Sequence, residues 1–151
     1  MLKIATSKVK VTSIISTNAL KTAAYLAQLK PHDTYYRLRD FDVTILKPAA
    51  VGTMALTDYT HDKQTEFITQ FDFIYRFHDA NNHPYALIAT VKGNAVIKTP
   101  NYQLKTTDLD QLFRPILQKA SWLIAKLSKL QIDYTAEYTF DPKQFHLDFK
   151  E

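Results

Sequence analysis

The chain has no cysteine and only two glycines, Gly52 and Gly93. The first absence removes disulfides, thiolate nucleophiles and cysteine-containing zinc sites. The second leaves nothing from which to build a phosphate-cradling loop, a dinucleotide fingerprint or a nucleophile elbow, because each needs glycine where the backbone turns tightly or meets a ligand. Long hydrophobic runs are missing too. Lys3, Lys8 and Lys10 interrupt the apolar residues of the first stretch, so it has no signal-peptide core, and no segment approaches the roughly 18–20 apolar residues of a membrane span. These features predict a cytoplasmic protein. Arginine is scarce as well, with Arg37, Arg39, Arg76 and Arg114 against 15 lysines. The net charge of +4 and the pI of 9.2 therefore rest on lysines scattered along the chain, the pattern of a solvated surface more than of a nucleic-acid face.

What is present is enough for one core. At 151 residues and 46% hydrophobic, with no Gly-, Ser- or Pro-rich linker, the chain reads as a single domain, 1–151. Its organising feature is a predicted hairpin between Gln64 and Lys98. The first arm sets Phe67, Phe71, Phe73, Tyr75 and Phe77 on one parity and Glu66, Gln70, Asp72, Arg76 and His78 on the other, the alternation of a strand with one buried face. Asp79 to Pro84 supplies turn residues, and Tyr85 to Lys98 is expected to return antiparallel.

Upstream, Lys8–Ile15 reads as a short edge strand, with Val9 and Val11 between lysines. Ser16, Thr17 and Asn18 offer three candidate N-caps for a short helix over ALKTAAYLAQL, with Leu20, Ala23, Ala24 and Ala27 as its apolar face and Pro31 as its stop. Residues 35–46 (YYRLRDFDVTIL) are aromatic and β-branched and predict another strand. Residues 47–63 have no sustained period and predict a connection, with a little strand around Val51–Leu56. Downstream, Leu109, Phe113, Ile116, Ala120, Leu123, Leu127 and Leu130 recur at steps of four and three, which predicts a core-facing helix over about residues 109–130 that starts at Pro115 or kinks there. Residues 131–140 alternate without exception and predict a strand, as do Phe145, Leu147 and Phe149 after the break at Pro142.

No constellation carries a reaction. His78, Asp79 and His83 meet at the predicted turn, but no His-x-x-x-His places two metal ligands on one helix face. None of the five serines lies in a Gly-flanked turn. Asp108 and Asp110 fall where a helix N-terminus favours negative charge. The expectation is a protein that is not an enzyme, with no cofactor and no metal. Aromatics beside basic residues, as in FIYRF and TYYRLR, can stack on single-stranded nucleic acid, yet the glycine-containing RNA-recognition motif is absent.

The order of elements from about residue 35 to 141, a polar turn followed by YALIATVKGNAVIK, and the helix LFRPILQKASWLIAKL beginning near Phe-Pro resemble the SecB-type export chaperones and their shorter SecB-like relatives. The resemblance implies a twisted antiparallel sheet with a helix packed on it, and an apolar groove that holds unfolded polypeptide. It implies no catalytic residues.

The resulting expectation is an α+β domain with an antiparallel sheet of at least four strands, one long helix on a face and a short N-terminal helix. Its function is expected to be non-catalytic polypeptide binding in the manner of a SecB-like chaperone. A small-ligand pocket protein and a single-stranded nucleic-acid-binding module are the alternatives. Sheet surface in excess of what two helices can cover further predicts a homo-oligomer, with Tyr35, Phe41, Phe71, Phe73, Tyr75, Tyr134 and Tyr138 as candidate client-binding or interface residues.

Overall fold

The computed structural model describes residues 2–150. In chain order these form β1 (Thr6–Asn18), α1 (Ala19–Ala27), a 3-10 turn (Tyr36–Leu38), β2 (Ala49–His61), β3 (Gln64–His78), β4 (Pro84–Ile97), α2 (Thr106–Ile132), a second 3-10 turn (Pro142–Gln144) and β5 (His146–Lys150). The sheet runs β1-β4-β3-β2-β5. Its first four strands are antiparallel, and β5 joins the outer edge of β2 in parallel. This is the α+β class predicted from the sequence. No helix among the described residues is long and apolar enough to cross a membrane.

The central hairpin forms as the alternation requires. Phe67, Phe71 and Phe73 are completely buried, and Thr69 shares their face at 3% exposure, while Glu66, Ile68, Gln70 and Asp72 point the other way, half-buried. The Asp79 carboxylate ties the β3–β4 turn by accepting from the backbone N–H groups of Asn81 and His83 at 2.9 and 2.8 Å. Between β2 and β3 the chain turns in two residues, Asp62 and Lys63, with φ of 48° and 59°. Two left-handed residues give the loop whose twist matches that of the flanking strands, here without the glycine usually found in it.

One sheet face carries the main core. Here α2 lays down Leu112, Phe113, Ile116, Leu117, Ala120, Leu123 and Ile124, a wider stripe than the predicted heptad, and Leu130 at its end is 82% exposed. The helix starts at Thr106 and runs through Pro115. Its first turn is held by the buried Asp108 carboxylate, which accepts from the Lys105 backbone N–H at 3.0 Å and the Tyr102 hydroxyl at 3.0 Å. Gly93 of β4 sits beneath it, where a Cβ would come within 2.8 Å of both Ile116 Cγ2 and Thr69 Oγ1.

Three predicted elements differ. Residues 35–46 are not a strand but a crossover of turns: Tyr35 is left-handed at φ 75°, and the 3-10 turn follows at once. Their aromatic content serves to cover the second face of the sheet, not to pair in it. Residues 131–140 finish α2 and then run without a ladder partner; Asp133 closes the helix in the left-handed conformation, and the buried Ala136 donates its N–H to Ser128 Oγ at 2.8 Å. The alternation there records one side lying on the sheet. Residues 49–61, expected to be mostly a connection, form a strand as long as β1, with Gly52, Met54 and Leu56 turned inward. In α1 the buried residues are Ala19, Thr22 and Leu26, while Leu20 is 76% exposed. That rotation follows from Asn18, the last residue of β1, also being the helix cap that accepts from Lys21 N at 2.9 Å, so the strand fixes where the helix begins.

Candidate functional site

The seven aromatic candidates do not form one surface. Phe71, Phe73 and Tyr75 lie on the α2 side of the sheet at 0%, 0% and 3% exposure, covered by Tyr138, Phe140 and Phe145. Phe140 meets Phe71 and Phe73 with ring centroids 5.0 and 5.2 Å apart, Phe145 meets Phe71 at 5.1 Å, and Tyr138 meets Tyr75 at 5.4 Å. The aromatic surplus that the sequence left without a cover is thus covered by the chain's own tail, and these three residues are core. Tyr138 is half-buried in the same layer, and Tyr134 stands outside it at 66% exposure. Tyr35 and Phe41 lie on the opposite face. Tyr35 is buried, and Phe41 is half-buried beneath the Arg76 guanidinium, 4.8 Å from its ring centre.

That opposite face divides along the strands. At one end, Ile74 of β3 and Ala86 and Ile88 of β4 pack against Ala19 and Leu26 of α1 and Leu38 and Val43 of the crossover. Arg76 pins the crossover by donating to the backbone carbonyls of Lys47 and Asp42 at 2.7 and 2.9 Å. Between α1 and the crossover lies an open groove of about 400 Å³, lined by Ala23, Leu26, Leu29, Phe41 and Val43 together with Tyr36, Arg39, Asp40 and Asp42.

A polar relay marks the middle of the face. The hydroxyls of Tyr35 and Thr90 are 2.7 Å apart; Thr90 reaches the Asp72 carboxylate at 2.6 Å, and Gln70 donates to both Asp72 oxygens at 3.1 and 3.0 Å. Burial pushes the Tyr35 phenol above its ordinary pKa.

Beyond the relay the sheet is uncovered and concave, about 610 Å³, lined by Lys8, Lys10, Glu66, Ile68, Lys92 and Asn94 together with the Val9 and Gly93 backbone region. Strand register makes this cradle: Lys8 pairs with Asn94 and Lys10 with Lys92 across β1 and β4, and Asn94 pairs with Ile68 and Lys92 with Gln70 across β4 and β3. The Tyr59 hydroxyl donates to Glu66, and Asn94 Nδ2 donates to it at 3.0 Å; Tyr59 first and Asn94 second hold the Glu66 carboxyl below the usual carboxylate range. Sequence reasoning missed this cluster. Lys8 and Lys92 lie far apart in the chain, and only the β1–β4 pairing brings them together.

The class that these features define is an α+β domain whose one sheet face is filled and whose other is part groove, part cationic cradle. No family model matches the chain, and no curated protein matches it. Among solved structures, a protein of unknown function from Streptococcus agalactiae is similar to it, with a TM-score of 0.49 at 11% sequence identity over 91% of this chain and 99% of that one.

Proposed function

We propose that the protein is a non-catalytic polypeptide-binding protein of the SecB-like kind, which holds extended, unfolded chains in the groove between α1 and the crossover. The observation that supports this reading is the shape and lining of that groove. It is open, and the apolar side chains of Leu26, Leu29, Phe41 and Val43 line it beside the polar and charged Tyr36, Arg39, Asp40 and Asp42. An open channel of this sort takes a linear apolar segment, whereas a small-ligand site buries most of its ligand's surface. Cytoplasmic residence belongs to the same proposal. So does self-association, for which β1 offers an edge paired on one side only and α1 offers the exposed Leu20.

The test is whether the protein delays the aggregation of an enzyme diluted from urea, followed by light scattering. A stoichiometric delay that is largely lost in Phe41→Asp is expected. Unchanged aggregation in molar excess of the wild type would overturn the reading. Binding that instead goes to oligothymidylate and falls steeply with salt would favour the nucleic-acid alternative.

A further inference from the structure

The cationic cradle is a separate surface with a chemistry of its own. Lys10 and Lys92 stand directly opposite each other on neighbouring strands, an arrangement in which like charges repel, and Lys8 follows on the same side of β1. Among the described residues none of the three has an ion-pair partner. The one carboxylate lining the cradle, Glu66, is already engaged by Tyr59 and Asn94 and contacts His61 at 3.4 Å. The sheet therefore holds three cations over a concave floor against one carboxylate, Glu66, which forms an ion pair with none of them.

We infer that this cradle docks an acidic, extended segment of a partner polypeptide, lying along β1 on the open face with carboxylates against Lys8, Lys10 and Lys92. Spacing supports this occupant. Lys8 and Lys10 are two residues apart on one strand, roughly 7 Å, which is the separation of side chains i and i+2 in an extended peptide. Two carboxylates on such a segment meet Lys8 and Lys10 in register, and Lys92, about 5 Å across from Lys10, closes on the second of them. The register shift in β1 between Val11 and Ser13 ends the run. A single nucleic-acid strand fits less well, because no aromatic side chain lines the cradle to stack on a base. The site is distinct from the groove beside α1 and does not depend on what that groove holds.

Fluorescence anisotropy tests the inference with the full chain and a short labelled peptide that alternates glutamate and serine. The expected result is binding that weakens with salt, that is absent for the glutamine–serine counterpart, and that weakens at least about tenfold in Lys10→Glu and further in Lys8→Glu/Lys10→Glu. Removing the repulsion between Lys10 and Lys92 should also leave the thermal midpoint of Lys10→Glu unchanged or raise it by roughly 1–3 °C. Loss of binding alongside a preserved midpoint excludes unfolding as its cause. Unchanged aggregation suppression in the same variant separates this surface from the groove. Equal binding of the glutamine peptide, insensitivity to Lys10→Glu, or tighter binding of an oligothymidylate of similar length would each overturn the assignment.

Discussion

The two faces of one sheet are built on opposite terms. On the α2 side, aromatic rings from β3 meet rings from the tail, and a helix with seven core side chains covers the rest; burial there is nearly complete. On the other side a short helix and a crossover cover only one end, a hydroxyl and carboxylate relay crosses the middle, and lysines line what remains. The strands are the same, so the difference lies in parity alone: Phe67, Phe71 and Phe73 face one way and Glu66, Gln70 and Asp72 the other. The filled face supplies the stability that lets the open face keep unpaired charge.

The comparison is broken most severely by emptying the filled face. Phe71 is fully buried between Phe73, Phe140 and Phe145, and its ring also lies over Gly52, where a Cβ would come within 2.5 Å of it. Phe71→Ala should cost about 3–5 kcal/mol in urea unfolding, because the tail rings cannot follow the sheet inward. Leu123→Ala, on α2, should fall at about 2–5 kcal/mol. Overpacking is the milder insult: Gly93→Ala places its new methyl against Ile116 Cγ2, which branches close to the α2 backbone, so the helix must retreat, at about 1–3 kcal/mol. A Gly93→Ala protein as stable as the wild type would show that α2 is less tightly seated than this contact implies.

How much of this arrangement the sequence discloses depends on where the information resides. β3 and β4 were legible because a half-buried strand writes its burial into a period of two. The tail from 134 to 140 wrote the same period without being a strand, since an extended chain that lies on a sheet also alternates. β2 was obscured by small residues, with Gly52 standing where an apolar side chain would have marked the buried face. Residues 35–46 misled through composition: Tyr35 and Leu38 are buried under a left-handed turn, and turn geometry leaves little trace in aromatic content. Of the site, the apolar candidates were legible as apolar but not as core, and the lysine cradle was illegible because strand register alone creates it.

A smaller change sharpens the boundary within the open face. Tyr35→Phe removes the hydroxyl that meets Thr90 and the half-buried Ser13 but leaves the buried Thr90 bonded to Asp72. The expected cost is about 0.5–1.5 kcal/mol. Thr90→Val should cost more, since it removes two hydrogen bonds, one to Tyr35 and one to Asp72, although Asp72 keeps Gln70.

The smallest effect separates the faces by pH. The aromatic face titrates in acid through Asp108 at the start of α2, whereas on the open face the Tyr59 hydroxyl and then the Asn94 amide hold the Glu66 carboxyl below its ordinary pKa. A carboxyl depressed in the folded state stabilises fully above its unfolded value, near 4.3, and that contribution is lost as pH falls through the lower folded value. Thermal midpoints measured from pH 6 down to pH 2 should therefore fall less steeply below pH 4 in Glu66→Gln than in the wild type. Some slope must remain, because Asp42 is depressed by the Thr44 hydroxyl, Asp79 by the His83 amide and Asp108 by the Lys105 amide. Phe71→Ala, by contrast, should shift the whole curve downward and keep the wild-type slope, since it touches none of these carboxyls. If Glu66→Gln ran parallel to the wild type while Phe71→Ala flattened the acid limb, the division of labour between the two faces would be wrong.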